Sequence, residues 1–256
     1  MVYAICCVPV CSLRSQPGHR NELVTQLLFG ECCTVGETAP DGWVRVRGQY
    51  DDYEGWVPIQ QLTEVDLDDF QHAPRDLSAD WVSEILYNGH PMHIPLGSHL
   101  TGIRNGRGAW RRNDLRYQGK VWEPSQHPPE PKALRQMSFL YLNTAYLWGG
   151  KSVFGIDCSG FSQSVYRFFG IRLHRDSSQQ ALQGETVGFL QQARTGDLAF
   201  FDNEEGRIIH VGILLSENEI IHASGKVRVD KIDSHGIING ENGQRTHTLR
   251  IIQRVW

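Results

Sequence analysis

The 256-residue chain lacks any apolar run near the 18 residues that a membrane-spanning helix needs, so no such helix is expected. It lacks a strong excess of one charge. Lys and Arg number 25 against 29 Asp and Glu, a formal net charge of −4, which argues against nucleic acid or an anionic membrane as partner. HExxH and paired CxxC patterns are missing, and neither His72 nor His90-Pro-Met-His93 makes a defensible ligand set, so no metal and no cofactor are expected. Residues 1–13 contain no charge, no Lys or Arg precedes the apolar stretch, Pro9 interrupts it and no A-x-A site follows. No Leu-x-Gly/Ala-Cys run leads into Cys6 either. These gaps point to a cytoplasmic protein with reduced thiols. What is present is ordinary for a globular chain: 40% hydrophobic and 21% charged residues, which excludes general disorder.

The six cysteines are unevenly placed. Cys6, Cys7, Cys11, Cys32 and Cys33 lie in the first 33 residues, and Cys158 stands alone in the second half. The adjacent pairs point to opposite faces of strands, so one of each pair is expected in a core, and a bridge across a hairpin is allowed but not required.

Residues 1–64 read as short strands, Val24–Phe29, Cys32–Val35 and Trp43–Val46, punctuated by Gly30, Pro40-Asp41-Gly42 and Gly48. This is the pattern of a small barrel, with Trp43, Trp56 and Trp122 as core candidates. Asp66–Asp69 and Pro74 read as a solvated connection. Residues 76–125 repeat the style more loosely, and Tyr53-Glu-Gly-Trp-Val-Pro58 is echoed by Tyr117-Gln-Gly-Lys-Val-Trp122-Glu-Pro124. The prolines at 128, 129 and 131 mark a linker. From there to residue 256 helices come first, over Ala133–Leu142 and Cys158–Phe169, the latter closed by Gly170. Strands follow at Leu198–Phe201, His210–Leu215 and Glu219–His222, with a turn at Ser216–Asn218. The order makes this an α+β domain, and three domains are expected at 1–64, 65–125 and 126–256.

Chemistry is concentrated around Asp157-Cys158-Ser159-Gly160. A cysteine at the first turn of a helix sits beside unpaired N–H groups and the positive dipole end, which favour a thiolate and lower its pKa. The same N–H groups can receive an oxyanion. Taken alone, Cys158 is better explained as a small buried apolar residue. Two histidines change the balance: His210 and His222 each interrupt an apolar strand, and the strands are neighbours if Ser216–Asn218 is the turn. Nucleophile, base and orienting group are then all available.

In this order Tyr146, Gly149-Gly150, Asp157-Cys158-Ser159-Gly160, Arg175-Asp176-Ser177, Thr195-Gly196-Asp197-Leu198, His210-Val211-Gly212 and His222-Ala223 resemble the NlpC/P60 family of cysteine peptidases over roughly residues 132–230. The resemblance implies a papain-like α+β catalytic domain. It implies Cys158 as nucleophile, His210 as base and His222 as the residue orienting the imidazole. With two SH3-like domains in front, the architecture resembles the γ-D-glutamyl-L-diamino acid endopeptidases of that family. This implies a murein-derived peptide substrate with a free N-terminal L-Ala, cleaved after γ-D-Glu in cell-wall peptide recycling. Carried over by position, Tyr146, Asp157, Ser159, Asp176 and Ser177 hold the dipeptide. Asp157 and Asp176 suit an α-ammonium, and the hydroxyls suit carboxylate and carbonyl oxygens. Tyr53 of the first domain closes on the amine. Where the family has a glutamate immediately before Thr-Gln, this chain has Val24; Glu22, on the same side of a strand, is the candidate substitute. Two other readings stand beside this one: a secreted wall lysin, amidase or acyltransferase on the same fold, and a non-catalytic wall-binding protein.

Overall fold

The structure, a computed structural model, describes residues 2–72 and 76–256. Pro74, part of the expected connection, lies outside the described residues. The chain divides into two compact units, one of residues 1–126 with Trp148–Val153, the other of His127–Leu147 with Phe154–Trp256. The segment 148–153, expected within the third domain, therefore packs with the first unit.

The first unit opens with seven strands: β1 (Val2–Cys6), β2 (Val10–Arg14), β3 (Leu23–Leu28), β4 (Cys32–Ala39), β5 (Trp43–Gly48), β6 (Glu54–Pro58) and β7 (Leu62–Glu64). Their order in the sheet is β3-β2-β6-β5-β4-β1-β7. A short helix, α1 (Leu67–His72), stands where a plain acidic connector is expected. Asp68 and Asp69 in its first turn suit a helix start, because the positive dipole end lies there. Seven further strands follow: β8 (Leu77–Ser78), β9 (Val82–Tyr87), β10 (His90–Pro95), β11 (Ile103–Arg104), β12 (Arg107–Trp110), β13 (Asn113–Tyr117) and β14 (Val121–Trp122). Five of them form a sheet in the order β10-β9-β13-β12-β11. The Tyr53–Pro58 echo does not map onto equivalent elements. The first copy is the single strand β6, whereas the second spans the end of β13, a turn and β14.

The alternation of side chains along β1 and β4 serves two cores at once. Cys6 and Cys33 join Cys11, Leu13, Val44, Val46 and Val57 in one cluster. Ile5 and Cys32 face the other way and, with Phe29 from the β3–β4 turn, join Ile85, Ile94, Trp110 and Leu115 from the second sheet. The adjacent cysteines are thus divided between cores, and all six thiols are free. Trp43 is buried, Trp56 and Trp122 only partly, and the fully buried tryptophan is Trp110, which the sequence pattern does not single out.

The second unit supplies α2 (Pro131–Phe139), α3 (Cys158–Arg167) and α4 (Ser177–Gln180), then β15 (Glu185–Thr186), β16 (Leu198–Asp202), β17 (Ile208–Leu214), β18 (Glu219–Ser224), β19 (Lys226–Asp233), β20 (Gly236–Ile238) and β21 (Arg245–Arg254). The strand order is β15-β21-β16-β17-β18-β19-β20, and β20 also pairs with β21, which closes six antiparallel strands into a ring. Helix α2 is shorter than expected and gives way to turns after Phe139. Helix α3 ends at Arg167, two residues early, and Gly170 takes the left-handed φ of 70° just beyond. All ten residues of α3 are buried. The last three strands were not expected from the sequence; β19 and β21 carry too many charges on their outer faces to read as apolar runs.

Gly30 sits at φ 79°, and a Cβ there would lie 1.9 Å from the backbone oxygen of His99. Here the two sheets of the first unit meet, with the His99 N–H donating to the Phe29 carbonyl at 2.8 Å. Replacing Gly30 by Ala adds both backbone strain and a clash with main chain, so it should cost about 3 kcal/mol. A lowered urea midpoint at unchanged m-value is the expected reading, and an unchanged midpoint contradicts the contact.

Candidate active site

Cys158 is the first residue of α3. The Asp157 carboxylate caps the helix, accepting from the Gly160 N–H at 2.7 Å, and so ties one of the four unpaired N–H groups at the helix start. Arg175 grips the same carboxylate with two guanidinium nitrogens, at 3.0 and 2.6 Å, and donates to the Ser159 hydroxyl at 2.9 Å. Ser159 in turn donates to Asp157 at 3.3 Å. Asp157 is therefore engaged through both oxygens with buried partners. The positive charge of Arg175 meets the negative charge of Asp157 that the sequence reading offered to an α-ammonium, and Asp157 and Ser159 hold the helix start.

His210 and His222 are brought together on adjacent strands. Gly212 of β17 lies opposite His222 of β18, and Ile220 of β18 lies opposite Asp230 of β19. Steps of two keep His210, His222 and Asp230 on one face, shared with the core residues Leu214, Ile220 and Ile232. Gly212 has a steric reason: a Cβ would fall 2.9 Å from the Cβ of His222. The side chains form a chain of hydrogen bonds, His210 Nε2 to His222 Nδ1 at 2.8 Å and His222 Nε2 to Asp230 Oδ2 at 3.0 Å. All three residues are at most 5% exposed.

The donors and acceptors of this chain can be assigned from its end. Burial pushes the Asp230 carboxyl up, but hydrogen bonds from His222, the Gly240 N–H and Arg228 outweigh burial and hold it below the ordinary carboxylate range. An ionised Asp230 accepts only, so His222 Nε2 carries a proton, and in the neutral tautomer Nδ1 presents a lone pair. His210 then donates from Nε2, which leaves the lone pair on its Nδ1. Burial, His222 and His247 together keep His210 well below the usual histidine range, hence neutral.

The thiol departs from expectation. Burial and the neighbouring Asp157 push Cys158 up to about 12, although the Val211 and Ser159 backbone amides and Arg175 act in the opposite direction. At 7% exposed, desolvation wins over the helix start, and the resting pair is thiol and neutral imidazole. The Val211 amide places the sulfur next to the residue that follows His210. Such a site can pass a proton from sulfur to imidazole as a bond forms, with N–H groups at hand for developing negative charge.

Tyr146 is half-buried, and burial, Cys158 and Asp157 raise its phenol to about 12, so it remains a donor. Asp176 precedes α4 and Ser177 begins it, both half-buried and directly after Arg175. Tyr53 and Glu22 belong to the first unit. Tyr53 lies in the β5–β6 hairpin, where its carbonyl accepts from Gly48. Glu22 accepts from the indole N–H of Trp148 at 2.8 Å. Sequence reasoning missed Asp230, whose signal is an acidic residue two before Ile232 on the inward face of a strand. It quoted Arg175 only as part of a motif. It also missed His247, whose ring stacks on that of His210.

Comparison with known proteins gives the family and the fold. Residues 143–243 match the model of the NlpC/P60 family, and residues 13–62 that of the bacterial dipeptidyl-peptidase Sh3 domain. A gamma-D-glutamyl-L-lysine dipeptidyl-peptidase of Bacillus cereus is 31% identical over 260 residues, which cover 90% of this chain and 76% of that protein. The chain belongs to the NlpC/P60 family. Another relative of the same name, from Bacillus subtilis, is 31% identical over 222 residues, covering 79% and 73% of the two chains. Among solved structures, an NlpC/P60 family protein from Bacillus cereus superposes with a TM-score of 0.83 at 20% identity, covering 99% of both chains, which shows the fold. The NlpC/P60 match contains Cys158, Arg175, His210, His222 and Asp230, and ends before His247.

The raised thiol gives a direct check. Alkylation of Cys158 by iodoacetamide, read by peptide mapping to separate it from the other five thiols, should keep accelerating beyond pH 9 because the thiolate fraction rises towards about 12. A plateau at or below pH 8.5 contradicts the buried, neutral thiol.

Proposed function

We propose that the chain is a cysteine endopeptidase that hydrolyses the bond between γ-D-Glu and the following diamino acid in peptidoglycan-derived peptides bearing a free N-terminal L-Ala. The observation that carries the reading is the His210–His222–Asp230 hydrogen-bond chain beside a thiol at a helix start. Membership of the NlpC/P60 family and two relatives named as gamma-D-glutamyl-L-lysine dipeptidyl-peptidases support the bond chosen.

In this reading Cys158 Sγ attacks the γ-glutamyl amide carbon while His210 Nδ1 takes the thiol proton. The charge formed on His210 is spread through Nε2–H to His222 and Asp230. Backbone N–H groups at the start of α3 receive the oxyanion. His210 then protonates the amide nitrogen, the C–N bond breaks and the diamino acid leaves, with the dipeptide held as a thioester. Water, deprotonated by His210, attacks the thioester and frees the thiol. Tyr146 and Ser177 bind substrate oxygens, and Asp157 and Ser159 fix the helix start beneath them. Asp176 takes the α-ammonium, because the charge of Asp157 is already met by Arg175. For Tyr53 and Glu22 a part in binding the amine rests on the resemblance alone; Glu22 accepts from the indole N–H of Trp148.

The sheet β10-β9-β13-β12-β11 is read as a second SH3-like barrel, with its antiparallel order in support. We place the enzyme in the cytoplasm, recycling cell-wall peptides. Six free thiols, three of them packed in one core, suit a reducing compartment.

Mass spectrometry of products from L-Ala-γ-D-Glu-diamino acid tri-, tetra- and pentapeptides should show release of L-Ala-γ-D-Glu. Cys158→Ala should fold normally and lose at least about 10³-fold in kcat. Turnover that survives this change removes Cys158 from the mechanism. N-acetylation of the tripeptide should slow cleavage by at least about tenfold, the loss of one charge-assisted contact; equal rates refute the free-amine subsite. The pH profile has a definite sign. Because the His210 pKa is lowered, its neutral, basic form persists as pH falls below 6.5, so the acid limb of kcat/KM should lie below that value. A limb centred at or above 6.5 contradicts the assignment.

A further inference from the structure

A third imidazole touches the base. His247 of β21 lies with its ring centroid 4.2 Å from that of His210 and the planes inclined by 25°, a face-to-face stack. His222 meets His210 edge-on, at 5.0 Å and 85°, and Phe201 stands 5.7 Å away at 46°. One face of the His210 ring is therefore covered by His247, and its Nε2 edge is taken by His222. His247 is itself positioned. It pairs with Ile237 across β20–β21, its Nδ1 meets the Thr246 hydroxyl at 2.8 Å, and Phe201 packs against it at 5.8 Å. Its carbonyl explains a glycine: a Cβ on Gly236 would lie 1.8 Å from that oxygen.

Resting on the reading of His210 as base, we propose that His247 is a positioning residue for the reaction: its ring holds the plane of His210 so that Nε2 stays on His222, and its π face stabilises the imidazolium formed when the thiol proton arrives. Two physical points support this. A base bonded at one nitrogen can still rotate about that hydrogen bond, and a stacked ring removes the rotation. A cation over an aromatic face is also attracted to it, most strongly where water is excluded. The repulsion by which His247 lowers His210 acts only between two charged rings, so for the attraction to hold the stacked ring must be uncharged. Burial and His222, against the pull of Asp230, lower His247 to about 4, so it is neutral wherever His210 is to work. The interaction favours the charged state over the resting one, so it should act on kcat rather than on substrate binding.

The test uses the full chain and the defined tripeptide, with three variants. His247→Ala should lower kcat about tenfold, with KM within twofold of the unaltered enzyme. His247→Phe, which stacks but cannot titrate or donate, should recover kcat to within about threefold. His247→Gln, near in size but unable to stack as a ring, should stay as slow as His247→Ala, and it carries the comparison with Phe if the alanine variant fails to fold. Overturning results are a His247→Ala enzyme with unchanged kcat, a His247→Phe enzyme as slow as His247→Gln, or an effect confined to KM. His210→Ala, assayed in parallel, separates the two layers: if that variant stays active, the reading of the base fails rather than the role of His247.

Discussion

The run of two hydrogen bonds from Asp230 through His222 to His210 is the constraint on which the rest of the site depends. It begins with a carboxylate kept ionised inside a protein, which is costly unless its charge is met. Arg228 at 2.8 Å and the Gly240 N–H meet it, and His222 takes the remaining lone pair. With His222 as the neutral tautomer, each imidazole donates along the chain towards Asp230, and the last nitrogen in line, His210 Nδ1, is a bare acceptor. The geometry that makes this possible is diagonal pairing across three antiparallel strands, two residues per step, which keeps all three side chains on the face that also carries the core.

A second constraint sits at the helix start. Asp157 and Arg175 form a buried pair with two short contacts, and the pair also holds Ser159 and the Gly160 N–H. Such a pair adds little net stability, since both ions are desolvated, but removing either partner strands a charge. Its effect is to fix where α3 begins, and with it where the thiol stands. The buried thiol is held neutral, and so is the base. A neutral pair needs the proton to move as the sulfur attacks, which makes the orientation of the imidazole more important than a preformed thiolate would.

Much of this could be read from residues alone. Cys158, His210 and His222 stand in strongly patterned segments, so their elements and their order were visible, and the turn at Ser216–Asn218 brought the two histidine strands together. The family motif carried the substrate class. Three things were hidden for physical reasons. Asp230 lies on a strand whose outer face is charged, so its inward direction shows only once pairing with β18 fixes the register. The rise in the thiol pKa results from burial of the whole of α3, a tertiary effect that outweighs the local pull of the helix start. Arg175 looked like a neighbour of Asp176 until the fold turned it towards Asp157. The short helix α1 and the division of Cys6, Cys7, Cys32 and Cys33 between cores likewise depend on how the two sheets of the first unit meet.

The central claim is the direction of the relay, and it is measured most directly by the ¹⁵N chemical shifts of the His210 ring at pH 7. The account predicts the neutral tautomer with the proton on Nε2 and an unprotonated Nδ1, unchanged in Cys158→Ala and disturbed in Asp230→Ala. A proton found on Nδ1, or an imidazolium at that pH, would contradict it.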